Sequence, residues 1–142
     1  MRIFLIDTVS KKNRIQLAMY EDSILLLQAS TVFAVSEQSE TFWPLIHEFF
    51  LDKKLGKVRV AGIAVVTGPA SFTSARQGVL VANALAFAWD IPVAGLTLTE
   101  LETVRRRNSW AQLIVKTPRG EFAEPLYDRA PNISAATGMW AV

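Results

Sequence analysis

The run from Val58 to Val66 is mostly apolar and rich in β-branched residues; Gly68-Pro69 stops it, and an alanine-rich stretch from Thr73 to Trp89 follows. Such a run, bounded by a turn signal, reads as a strand. A helix directly after it makes the pair half of a crossover unit, which needs a parallel neighbour strand and helices on the sheet faces. Ile91 to Gly95 repeats the pattern as a short strand, and Leu98 to Arg107 follows as another helix. The chain therefore reads as α/β.

The residues ahead of that unit are strand-like first. Arg2 to Ile6 does not alternate, while Arg14 to Tyr20 does, with Ile15, Leu17 and Met19 on one face. Glu21-Asp22 reads as a tight turn and Ser23 to Ala29 as a third strand, so these three strands form an antiparallel meander. From Glu37 to Leu51 the period changes: Phe42, Leu45, Ile46, Phe49 and Phe50 recur at helical spacing. Ser36 or Ser39 serves as the N-cap, and Lys53 and Lys54 suit the C-terminal end. Pro44 fits only a first turn, which sets the start of the regular helix near Phe42. Trp110 to Lys116 and Glu121 to Tyr127 flank Pro118-Arg119-Gly120 and read as a β-hairpin; the tail from Pro131 has no period and its end is expected to be loose. The expected architecture is a mixed five-stranded sheet in the order 3-2-1-4-5 with helices on its faces, residues 1–107 forming one lobe and 108–142 an appendage.

At 142 residues the chain fits a single domain with a short addition. It has no cysteine and one histidine, His47. That excludes a disulfide framework, a thiolate metal site, a cysteine nucleophile and a two-histidine zinc site, and a Ser-His-Asp triad would need His47 itself. The net charge of +2, from 15 basic and 13 acidic residues, makes no case for phosphate-backbone binding. Arg105 to Arg107 read as a solvated helix end favoured by the macrodipole. The apolar run near the N-terminus is too short for a signal peptide, and Val79 to Trp89 falls short of the roughly 20 residues of a membrane span. The expectation is a cytoplasmic protein with no membrane partner, no metal and no cofactor.

The segment from Gly68 to Gly78 is a strand end, a tight turn and a helix start. Ser71 or Thr73 caps the helix; its free N–H groups make a generic anion site that Arg76 reinforces, or the segment is a capped turn with no ligand. No lysine follows the glycines, so it is not a Walker A loop, and it is not a G-x-S-x-G elbow. Asp7, at the end of the first strand, reads as a turn or cap residue. Both long helices carry apolar residues over more than one stripe, and each needs only one to cover the sheet. Phe42, Trp43, Ile46 and Phe50 on the first helix, with Val79 and Asn83 on the second, are the expected partner-facing positions.

The wording of GPASFTSARQG resembles the GPGSFTGxRxG segment of the TsaB (YeaZ) family, keeping Gly68, Pro69, Ser71, Phe72, Thr73, Arg76 and Gly78 and departing at Ala70 and Ser74. Ile6-Asp7-Thr8 is similar to the family's first-strand IDTS, Ser39-Glu40 to the end of its HSE with Gln38 in place of the histidine, and Val93–Leu101 to its V-x-G-V-S-S-L-E. Residues 125–132 resemble the P-x-Y-L-R-x-P-D near the C-terminus of some members. The resemblance spans residues 3–102 and this detached piece. It implies a single actin-like (ASKHA, ribonuclease H-like) lobe, with 108–142 standing where members carry a second lobe. It also implies a non-catalytic subunit that binds a TsaD-type catalytic subunit through its first two helices. That complex forms threonylcarbamoyladenosine (t6A) on tRNAs reading codons that start with A, with a TsaE-type ATPase in the assembly. Homodimers through the same two helices are implied, and tRNA contact is indirect. Asp7 stands where ATP-hydrolysing relatives of the fold hold phosphate and magnesium, so Asp7, Ser71, Thr73 and Arg76 are the candidate anion or nucleotide contacts. The competing readings are a nucleotide-binding or glycoprotease-like enzyme, opposed by the single histidine and the missing cleft, and a scaffold unrelated to tRNA.

Overall fold

A computed structural model of the chain describes residues 1–33, 38–56 and 59–127. The strands are β1 (Arg2–Asp7), β2 (Arg14–Glu21), β3 (Ile24–Val32), β4 (Val60–Gly68) and β5 (Val93–Thr97); the helices are α1 (Gln38–Phe50), α2 (Phe72–Trp89), α3 (Leu98–Arg107) and α4 (Trp110–Lys116). They build one five-stranded sheet in the order β3-β2-β1-β4-β5, as the meander followed by crossovers requires. β1 runs antiparallel to β2, with Phe4 opposite Met19, and parallel to β4, with Phe4 opposite Ile63. β4 and β5 are parallel, with Val65 opposite Gly95. The β2–β3 connection is as short as the sequence suggests because Asp22 takes the left-handed conformation at φ 54°, which aspartate tolerates.

β1 does not alternate because both its faces are buried. Phe4 and Ile6 enter a core closed by α1 and α2, and Ile3 and Leu5 enter a second core closed by α3 and α4. In the first core Phe4 meets the rings of Phe49 and Phe50 at centroid distances of 5.3 and 4.9 Å. α3 starts with a reciprocal capping box: Glu100 N–H donates to Thr97 Oγ1, and Thr97 N–H to Glu100 Oε1, both at 3.2 Å. No helix among the described residues is long and apolar enough to cross a membrane.

Two expectations are corrected. α1 begins at Gln38 rather than near Phe42, so Pro44 lies inside it. Pro44 is exposed, and the ladder gives up one main-chain bond on the solvent side while Phe42, Ile46 and Phe49 still bury their stripe. Nor do residues 110–127 form the expected hairpin. Residues 110–116, expected as its first arm, are α4, and residues 121–127 form no named strand. Trp110 and Ile114, one helical turn apart, are both buried in the second core. The Trp110 ring stacks on Tyr20 at 4.4 Å, and Ile114 packs over Gly62, where an added Cβ would come within 2.6 Å of it. Two long-range contacts thus select the helical period over the extended one. The expected loose tail from Pro131 lies outside the described residues, as do Glu37 and Val58 at the starts of their expected elements.

Candidate functional site

The parallel strands β1, β4 and β5 end together at Asp7, Gly68 and Thr97, the end at which open α/β sheets bind ligands. Asp7 is buried there; its Oδ1 accepts the N–H groups of Val9 and Ser10, each at 2.9 Å. This is an Asx turn that closes the strand. Its other oxygen, Oδ2, is buried with no hydrogen-bond partner. Thr8 Oγ1 donates to Ser74 O at 2.6 Å, tying the end of β1 to the first turn of α2.

Gly68 has φ 137°, where a side chain is strained, and a Cβ there would strike the carbonyl oxygen of Leu126. Gly78 lets α2 lie against β1, since a Cβ would come within 2.6 Å of Thr8 Oγ1. These two glycines are needed for close backbone approach. Of the two candidate caps it is Ser71 that caps α2, its Oγ accepting the Ser74 N–H at 3.4 Å. Ser71 is the N-cap of α2, and Thr73 and Arg76 follow in its first two turns, all three exposed; Asp7 is buried at the end of β1. Among the described residues no group of three or more His, Asp or Glu side chains is placed to hold a metal ion.

Residues 121–127 cross this corner, with an isolated parallel bridge between Ala70 and Tyr127. Leu126 N–H donates to Thr67 O at 2.8 Å and Ala70 N–H to Leu126 O at 3.3 Å. Asn83 holds the same segment further along α2, its amide nitrogen donating to Ala123 O at 3.0 Å and its amide oxygen accepting the Ala123 N–H at 2.9 Å. Asn83 was expected to face a partner; its amide instead pins the chain's own backbone.

The other partner-facing positions divide. Phe42, Ile46 and Val79 are buried in the first core, so they face the sheet and not another chain. Phe50 is half-buried, its ring 5.5 Å from Trp89. Trp43 alone of the six is exposed, at 48%. The positions missed are on α2: Leu80 is 60% exposed and Phe87 79%. They stand two turns apart on one face with exposed Ala84 between them. Phe87 also flanks a groove of about 290 Å³ with Phe122 on its other wall. Helical spacing was the available signal, because the i, i+4, i+7 set Phe42–Ile46–Phe49 already covers the sheet and leaves Trp43 outside it. A cavity of about 600 Å³ opens at the opposite end of the sheet beside Met1, Arg59, Trp89 and Pro92.

Comparison with known proteins gives three kinds of match. Residues 33–109 match the family model described as "TsaD: tRNA N6-adenosine threonylcarbamoyltransferase". The "tRNA threonylcarbamoyladenosine biosynthesis protein TsaB" of Bacillus subtilis (strain 168) is 30% identical over 118 residues, covering 76% of this chain and 51% of that protein. The solved structure of "YeaZ from Pseudomonas aeruginosa" superposes with a TM-score of 0.56 at 20% identity, over 75% of this chain and 48% of that one. A "crystal structure of an uncharacterized protein with similarity to peptidase YEAZ from Pseudomonas aeruginosa" gives 0.56 at 23% identity, over 68% and 43%. The chain spans about half the length of these relatives, and the likeness to the two solved structures is one of fold, the actin-like lobe.

Proposed function

The chain belongs to the TsaB (YeaZ) family, and from that premise we propose that it is a non-catalytic partner subunit in the formation of threonylcarbamoyladenosine on tRNA. In this reading it binds a TsaD-type catalytic subunit, acts on tRNAs that read codons starting with A, and contacts tRNA only through that subunit. A TsaE-type ATPase joins the assembly. The actin-like lobe takes in α4 as well as residues 1–107, since Trp110 and Ile114 are buried in its second core.

One observation carries the reading: the outward face of α2 is apolar, with Leu80 at 60% and Phe87 at 79% exposure, and Trp43 is exposed on the neighbouring α1. Apolar residues aligned on one helix face against solvent mark an interaction surface. A partner helix laid along this stripe covers Leu80, Ala84 and Phe87 at once, and aromatic anchors such as Phe87 and Trp43 dominate interfaces of this kind. The composition supports a role without chemistry of its own, because one histidine and no cysteine supply few of the groups that acyl transfer or hydrolysis uses.

The test is co-expression with the TsaD-type subunit of the same source. A complex of the two chains by light scattering, and t6A on tRNA that depends on adding this chain, support the reading. Two chains that elute apart, or modification unchanged when this chain is left out, overturn it. Turnover of ATP or peptide that purifies with the isolated chain and disappears on Asp7→Ala would favour the enzyme reading instead.

A further inference from the structure

The two edges of the sheet are treated differently. β5 is short, and Ala123 lies against it, within 3.4 Å of where a Cβ on Gly95 would be. β3 is nine residues long, reads ILLLQASTV, and contains no charge, proline or glycine. Among the described residues no strand pairs with its outer side. A long neutral edge of this kind is a template for another strand, and proteins that avoid such pairing place charges or proline there.

The register says which groups are on offer. Phe33 N–H donates to Asn13 O at 3.0 Å, and these two residues continue the β2–β3 register one step beyond Arg14 and Val32. In an antiparallel ladder hydrogen-bonded pairs alternate with non-bonded ones. Thr31 with Ile15, and Ala29 with Leu17, are therefore the bonded pairs. Gln28, Ser30 and Val32 point their N–H and C=O groups away from the sheet. A register shift opposite Met19 and Tyr20 ends the straight edge at Leu27.

We propose that this edge pairs with the same edge of a second copy of the chain, antiparallel and centred on Ser30, to make one continuous ten-stranded sheet. The centre follows from counting main-chain groups. With Ser30 on the two-fold axis, Gln28 faces Val32 of the partner copy, and all three outward residues bond in both directions. Centring on Ala29 loses Val32, and centring on Gln28 runs into the register shift. The occupant is a second copy because the three-residue main-chain ladder is complementary to itself and the strand carries no charge of its own; the nearest cation is Arg14 on β2, whose Nη1 donates to Ser30 Oγ at 3.0 Å. The pairing also gives the 62% exposed side chain of Val32 a cross-strand neighbour. It leaves the outward face of α2 free and does not depend on the partner-subunit reading.

The absence of native cysteine makes the test direct. Ser30→Cys places two thiols across the axis, where bonded strand pairs bring Cα atoms to about 5.5 Å, within disulfide range. Under mild oxidation this variant should run as a covalent dimer on a non-reducing gel. Gln28→Cys and Ser10→Cys, whose copies lie far apart in this arrangement, should stay monomeric. Val32→Lys, on the exposed edge, should weaken dimerisation about tenfold or more in sedimentation equilibrium with an unchanged melting temperature. Wild type that is monomeric at all concentrations, a Ser30→Cys variant that does not cross-link, cross-linking of all three variants alike, or cross-linking of Gln28→Cys alone each overturns the proposal. A monomer is also the result if residues 128–142 or another protein take the edge.

Discussion

α2 and α3 follow parallel strands in the same sheet, on opposite faces, yet they meet solvent in opposite ways. α3 buries Leu101 and Val104 and turns Glu102, Arg105, Arg106 and Arg107 to water. α2 buries Ala75, Val79, Ala82 and Ala86, and turns Leu80, Ala84 and Phe87 to water; its only charged residue is Arg76. One apolar stripe is enough to hold a helix on a sheet, as α3 demonstrates. The second stripe on α2 therefore does nothing for the fold. It is the surface on which the proposed partner contact rests.

The comparison breaks first if the two faces are not equally built inside. Phe42 under α1 and Trp110 under α4 are both fully buried. Truncating either to alanine removes a large side chain from a packed core, so each should cost about 3–5 kcal/mol. Chemical denaturation of Phe42→Ala and Trp110→Ala should show two losses of similar size. A loss under about 1 kcal/mol for Trp110→Ala would mean that α4 is not part of the lobe's core.

The next effect in size belongs to Asn83, which sits on α2 but serves neither stripe. Asn83→Ala leaves the N–H and C=O of Ala123 without their partner, and such losses cost about 1–3 kcal/mol for groups cut off from water. Because Ala123 is only half-buried, the lower part of that range is expected. Hydrogen exchange at Ala123 and protease cleavage near Phe122 should both accelerate, while exchange in β1 and β4 stays as it was. Uniform acceleration across the sheet would show instead that residues 121–127 are part of the cooperative core.

Much of this architecture was legible from local period. β1 announces burial on both faces by failing to alternate, and the meander ahead of the crossovers fixes the strand order. α4 was not legible, because the apolar residues of Trp110–Lys116 fit either period over so short a run. Its choice rests on Tyr20 and Gly62, both distant in sequence. The two motif glycines were visible, but their reasons, the Leu126 carbonyl and the Thr8 hydroxyl, were not. At the candidate surface the sequence held more than was read from it. The Phe42–Ile46–Phe49 spacing already marks an inner stripe, whereas Asn83 gives no local sign that it bonds to a residue forty positions away.

The smallest effect on stability carries the most about function. Leu80→Glu and Phe87→Glu change side chains that are mostly in water, so each should move folding stability by no more than about 0.5 kcal/mol. Glutamate also keeps good helix propensity, which removes a second route to destabilisation. Arg106→Glu on α3 is the control: it is also exposed, and it changes the charge by two units against one for each α2 variant. If the second stripe on α2 is an interface, the two α2 variants melt with wild type, and Arg106→Glu loses no more than about 1 kcal/mol for setting an acid in the last turn of α3. Only the two α2 variants lose binding to the TsaD-type subunit, by tenfold or more, because a charge buried at an apolar contact must be desolvated without a partner. Titration calorimetry against that subunit and a thermal melt of each variant read the two quantities separately. Equal binding by Phe87→Glu and Arg106→Glu would make the two faces equivalent to a partner, and the apolar stripe would then need another explanation. A melting temperature that falls for Phe87→Glu alone would place that ring in the fold, against the groove it shares with Phe122.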